Sequence, residues 1–132
     1  MIGALSLDGV EAMMTNIGAT NAGVFRRFVD EHLVPILREG DVVVMDNLGA
    51  HHATGIREAI EATGAIVIYQ PPYSPDLNPI EPCWSKVKSV LRRIGARTVR
   101  ALTAAVHKAA ALVTLDDAEG WFDHCGYRSQ VA

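Results

Sequence analysis

The chain has 132 residues, 49% hydrophobic and 20% charged, which fits one folded domain and excludes a disordered chain or two independent cores. No apolar run approaches the roughly 18–20 residues of a membrane-spanning helix, and the opening MIGALSLDGV lacks the basic start of a secretion signal. The net charge of −3 is unevenly spread: residues 1–81 hold eleven acids against four Lys and Arg, whereas residues 82–115 hold seven Lys and Arg and no acid.

Residues 2–7 read as a strand, Asp8-Gly9 as a two-residue turn, and residues 10–17 as the returning strand of a hairpin. Residues 21–38 place Val24, Phe25, Phe28, Leu33, Ile36 and Leu37 at helical spacing. Pro35 is expected to kink or tighten the last turn, and Glu39-Gly40 to end it. Residues 42–45 are a continuous apolar run between Asp41 and Asp46, the pattern of a strand buried on both faces. Residues 53–63 read as a helix stopped by Gly64, and residues 65–69 as a second buried strand. This strand–helix–strand section implies a parallel pair with a right-handed crossover. Residues 70–79, QPPYSPDLNP, hold four of the six prolines and read as a rigid loop. Helical periodicity then runs over residues 80–94. Gly95 breaks it, Thr98 is placed to cap a helix reaching about Val113, and residues 116–122 suit one more short helix. A hairpin beside a parallel pair predicts an α/β fold with a mixed sheet flanked by helices.

Two acids stand out. Asp46 ends a predicted buried strand, the edge at which open α/β sheets bind ligands, though taken alone it reads first as the residue that opens the turn in DNLGAHH. Glu81 begins a predicted helix, where an acid interacts favourably with the helix dipole. The prolines on either side, Pro79 and Pro82, also fix its backbone, as expected where a side chain must be aimed. Acids converging from separate elements suit phosphoryl transfer on DNA. Mg²⁺ takes oxygen ligands and keeps several waters, so few carboxylates suffice. Two such ions about 4 Å apart activate a water or a 3′-hydroxyl and stabilise the leaving oxygen.

The stretches VVVMDNLGAHH and YQPPYSPDLNPIEPCWSKVKSVLRR resemble the DDE transposases, in particular the mariner-like and related bacterial insertion-sequence branch. Asp46, Asn47 and His51 match that family's D-N-x-x-x-H motif after a hydrophobic strand. Pro71 to Glu81 match its P-P-Y-S-P-D-L-N-P-I-E motif without a gap, and 34 residues separate the two acids, the family's spacing for this pair. The resemblance implies a ribonuclease H-like fold, with residues 1–132 as the carboxyl-terminal part of one catalytic domain. It implies Mg²⁺, with Mn²⁺ able to substitute, held by Asp46 and Glu81, and metal-dependent phosphodiester cleavage and strand transfer in DNA transposition. The partners implied are transposon-end and target DNA and, in the intact enzyme, a second copy of the chain. The setting implied is cytoplasmic, bacterial and nucleoid-associated. The family's first strand, which carries the first catalytic aspartate, and its amino-terminal helix-turn-helix region have no counterpart here. Asp8 lies in the hairpin turn, at the wrong end of the architecture to stand in. The expectation is therefore a fragment inactive by itself, whether a downstream fragment, a frameshift half or a relic, with an upstream polypeptide as one source of the missing strand. The alternative is a non-catalytic DNA-binding or dimerising remnant or regulator.

His51 is expected near the site, and Asn47 and Asn78 are expected to shape the loops that carry the acids. Trp84, Val87, Val90, Leu91 and Ile94 form a core stripe. Lys86, Lys88, Arg92 and Arg93 fall mainly outside it. On charge alone they read as a solvated face or a phosphate-facing one. Given the resemblance, they are expected to contact DNA phosphates, which gives affinity and register but not sequence choice. Tyr69 and Tyr73 suit packing against the proline-rich loop or stacking on an unpaired base. Cys83 and Cys125 lack any CxxC spacing, which fits ordinary thiols in a reducing compartment.

Overall fold

A hairpin opens the chain. β1 (Ile2–Ser6) and β2 (Gly9–Met14) form a two-stranded sheet, joined through Leu7 and Asp8. Ser6 Oγ accepts from the Asp8 N–H at 3.0 Å and donates to Glu11 Oε1 at 2.7 Å. The turn thus falls one residue before its expected place, and Gly9 starts the second strand at φ +106°, a conformation that favours glycine. The computed structural model describes residues 1–15, 20–47, 49–52, 54–71 and 78–127, so residues 16–17 of the expected strand lie outside the described residues. By internal contacts the chain forms two compact units, residues 1–2 with 12–75 and residues 3–11 with 76–132.

In the first unit, α1 (Ala22–Phe28) begins at Asn21, whose Oδ1 accepts from the Val24 N–H at 2.9 Å. The helix does not run evenly to residue 38. It widens to a π turn over Val29–Leu33, tightens to a 3-10 turn over Val34–Ile36, and stops. Pro35 accounts for this, because it has no N–H to give the carbonyl of Glu31 four residues back, and the ladder must change pitch around it. Phe25, Phe28, Val29 and Leu33 are buried along this segment.

β3 (Val42–Met45) and β4 (Ile66–Tyr69) pair in parallel, with Val42 opposite Ile66 and Met45 opposite Tyr69. Between them runs α2 (Ile56–Glu61), shorter than the expected 53–63, with Ile56 and Ile60 fully buried one turn apart. The turns entering β3 and β4 meet: the Gly40 N–H donates to Gly64 O at 3.0 Å. Gly64 has φ +89°, and a Cβ there would lie 2.9–3.0 Å from Glu39, so only glycine fits.

The expectation that both strands are buried on both faces is corrected. Met45 and Val67 are buried, but Val42, Val44, Ile66 and Ile68 are 38–55% exposed. In the register these four lie together on one face of the pair. A continuous apolar run cannot show how many faces are covered, and α2 packs on one. Nor do the described strands join in the expected single mixed sheet. Among the described residues the hairpin and the parallel pair are separate two-stranded sheets, because no described strand is hydrogen-bonded between them. The α/β class holds.

In the second unit, α3 (Ile80–Ile94) ends at Gly95, φ +66°, whose N–H reaches Leu91 O. Thr98 caps α4 (Val99–Ala111), accepting from the Ala101 N–H at 3.1 Å. Thr114 and Asp117 form a reciprocal capping box at the start of α5 (Leu115–His124). The core gathers Cys83, Val87, Val90 and Ala109, with Leu5, Val10, Trp84, Leu91 and Trp121 packed around them. Ile94, expected in the stripe, is 42% exposed because it lies in the last turn. Burial, reinforced by the nearby Asp117 charge, pushes the Cys83 thiol up to about 11, which leaves it protonated and inert at neutral pH. No described helix is long and apolar enough to cross a membrane.

Asp117 also receives the ammonium of Lys86, tying α5 to α3. That bond, with the Thr114 N–H, holds the Asp117 carboxyl below its ordinary range. A depressed carboxyl contributes stability that is whole above the ordinary range, about pH 4, and is lost as pH falls through the folded-state value. Asp117→Asn should therefore lower the melting temperature at pH 7, and its gap from the parent should narrow as pH falls below about 4. Thermal melts across that range check this; a gap independent of pH would show that the charge is not the cause.

Candidate functional site

In the first unit, Asp46 follows the buried Met45 at the carboxyl end of β3, so a rigid strand aims it. Just downstream, the chain turns through a single 3-10 turn, Gly49–His52. This turn sends its two histidines to different places. His51 Nδ1 lies 3.1 Å from the Asp46 main-chain oxygen and 2.6 Å from Asp46 Oδ1. A carbonyl can only accept, so Nδ1 carries the proton and donates to it. The ring N–H therefore lies beside both Asp46 oxygens, bonded to the main-chain one and in close contact with Oδ1, which makes no further hydrogen bond among the described residues. The His51 ring is held against Phe25, centroids 4.2 Å apart, and its carbonyl accepts from the Tyr69 hydroxyl at 2.7 Å.

His52 turns the other way. Its Nε2 pairs with Asn47 Oδ1, and its ring stacks on Tyr69 at 3.9 Å with 22° between planes. The Arg57 guanidinium lies 5.4 Å from the Tyr69 ring centre. Together with Thr54, Gly55 and Glu58 these groups line a cleft of about 470 Å³. The sequence pattern of helix 53–63 gave no sign of Arg57: it sits on the polar face with Glu61 one turn on, and its approach to Tyr69 depends on how β4 lies against α2.

In the second unit, Glu81 is the second residue of α3 and is exposed. Its N–H donates to Asn78 O at 3.1 Å, while Asn78 Oδ1 accepts from the Ile80 N–H at 3.2 Å. Asn78 thus shapes the turn that presents the acid, and its side chain is already engaged. Tyr73 and most of the proline-rich loop, residues 72–77, lie outside the described residues. Of the four cationic side chains expected on α3, Lys86 is bound to Asp117, whereas Lys88, Arg92 and Arg93 are exposed and make no ion pair among the described residues.

Asp46 and Glu81 each stand at the mouth of an ordered element, one ending a strand and one starting a helix. Residues 1–103 match the DDE superfamily endonuclease family, a span that contains both acids, the two histidines and all of α3. The chain belongs to that family. DDE endonucleases act on DNA and generally use divalent metal ions. The Asp46 carboxylate, at the end of β3, offers oxygen donors of the kind such an ion takes. No group of three or more His, Cys, Asp or Glu side chains gathers into a metal cage among the described residues. No curated protein matches the chain.

Proposed function

We propose that the chain is the carboxyl-terminal part of a ribonuclease H-like transposase catalytic domain, acting in cleavage and strand transfer at the ends of a DNA insertion sequence. Asp46 and Glu81 hold Mg²⁺, or Mn²⁺ in its place. When bound, divalent ions supply activation of the attacking oxygen and neutralise charge at the leaving oxygen. Asp46 holds its ligand oxygen on a rigid strand end, and His51 fixes the main chain beside it. Glu81 presents its carboxylate from a turn stiffened by Pro79, Pro82 and Asn78. The observation that carries this reading is the Asp46 carboxylate set at the end of β3 beside the His51 ring, in a chain of the DDE family.

These 132 residues contribute two carboxylates to a site that needs three, so the purified chain is inactive unless another polypeptide supplies the third. The face of the β3–β4 pair that carries Val42, Val44, Ile66 and Ile68 is exposed, and parallel strands are ordinarily covered on both faces, which supports a further element packing there. The experiment is a Mg²⁺- or Mn²⁺-dependent nicking assay on transposon-end duplex. No cleavage is expected from the chain alone, and cleavage should appear when an upstream polypeptide bearing a strand-borne acid is added. Robust cleavage by the chain alone would overturn the inactivity, and failure of every addition would count against the catalytic reading.

Lys88, Arg92 and Arg93 supply the phosphate-facing surface on α3. Replacing Arg92 and Arg93 by Ala should reduce the slope of log affinity for duplex DNA against log salt by about 0.9 per lost contact. An unchanged slope would remove both residues from the interface.

A further inference from the structure

We infer that the cleft lined by His52, Thr54, Arg57, Glu58 and Tyr69 is a binding site for one unpaired nucleobase of the DNA substrate, an inference that rests on the proposed action on DNA. The cleft is a built surface. Tyr69 is anchored by its hydroxyl to His51 O, and its ring backs His52. Asn47 Oδ1 fixes the plane of the His52 ring, and His52 is exposed. Gly55, also in the lining, has φ +87° and leaves room for the Arg26 guanidinium, with which a Cβ would collide. Arg26 in turn donates to Thr54 O at 3.4 Å. His52 therefore offers an oriented π-face at no further ordering cost, the feature that lets aromatic side chains take up bases irrespective of sequence.

The polar groups select the ligand. Arg57 provides donors in a plane, Glu58 an anionic acceptor, and the Thr54 hydroxyl both. A phosphate would meet repulsion from Glu58, whereas the edge of a base carries donors and acceptors together. The volume, about 470 Å³, leaves ample room for a single base. The position also fits. Asn47 and His51 are the immediate neighbours of Asp46 and His52, so the cleft adjoins the strand end that carries the carboxylate. A base held here would keep the strand next to the reacting phosphate from re-pairing.

The test measures binding of the full chain, without divalent metal, to three probes: a labelled oligothymidylate strand, the same strand with abasic sugars, and a duplex. His52→Ala should weaken binding to the single strand about tenfold, leave duplex affinity unchanged, and make no difference on the abasic strand. His52→Phe should restore the affinity, because it keeps the π-face. Arg57→Ala should act in the same direction, and far-ultraviolet circular dichroism should show both variants folded, since both side chains are exposed. Equal weakening on duplex and single strand, a defect that persists on the abasic strand, or no effect at all would each overturn the base site. If the parent binds none of the probes, the proposed action on DNA falls with it. If duplex binds normally and the single strand ignores His52, only the base site falls.

Discussion

Asp46→Asn should weaken Mn²⁺ binding at least about tenfold while leaving the melting temperature unchanged or slightly raised. The two signs follow from one atom. Oδ1 of Asp46 is buried and makes no hydrogen bond among the described residues beyond its 2.6 Å contact with His51 Nδ1, and burying a charged oxygen costs more than burying a neutral one. The isosteric amide keeps an oxygen beside His51 Nδ1 and removes the charge, so folding loses nothing that the carboxylate supplied. Metal binding does lose, because a site with few anionic ligands depends steeply on each one. Loss of the free-Mn²⁺ paramagnetic signal on titration gives the affinity, and a thermal melt of the same sample gives the stability. Had Asp46 served only to open the DNLGAHH turn, the pattern would invert, with a lower melting temperature and unchanged Mn²⁺ affinity. That inverted result would sink the metal role.

Much of the local structure was legible because it depends on short-range chemistry. Thr98 and Gly95 bound α4 and α3 where the pattern places them, since a hydroxyl acceptor and a left-handed glycine act within one turn of their own position. The parallel pairing of β3 and β4 follows from a strand–helix–strand order that leaves little topological choice. What escaped the sequence depends on neighbours. The four apolar residues Val42, Val44, Ile66 and Ile68 read as core, because an apolar run carries no information on whether a layer covers its second face. Lys86 reads, like Lys88, as a cation outside the core stripe, but the Thr114 capping box brings Asp117 to it and occupies its charge. Of the candidate residues, Asp46, Glu81 and His51 stand out in the sequence by motif and spacing. The His52–Tyr69–Arg57 cluster does not, because its members lie on three elements joined only by tertiary packing.

The largest expected loss of stability comes from the helix that also builds the cleft. Ile60→Ala should destabilise the first unit by about 2–5 kcal/mol, the range for emptying a fully buried aliphatic site. Ile60 has no exposed surface, and neither has Ile56 one turn before it, so the pair forms the whole buried face of a six-residue helix. A helix this short has little stability of its own and stays formed through its packing, so the cavity cannot be relieved by a shift of the helix without unpacking it from β4. Against a total of about 5–15 kcal/mol for an ordinary domain, this loss is a large fraction. Arg57 provides the control on the same helix. Its side chain is about half exposed and its ion pair with Glu61 is a surface i,i+4 contact at 3.4 Å, worth at most about 0.5 kcal/mol. Urea unfolding of the two variants should therefore separate them cleanly, Ile60→Ala far below the parent and Arg57→Ala beside it. If Arg57→Ala fell as far as Ile60→Ala, the guanidinium over Tyr69 would be a structural strut, and its loss of single-strand binding could no longer be read as loss of a contact to the base.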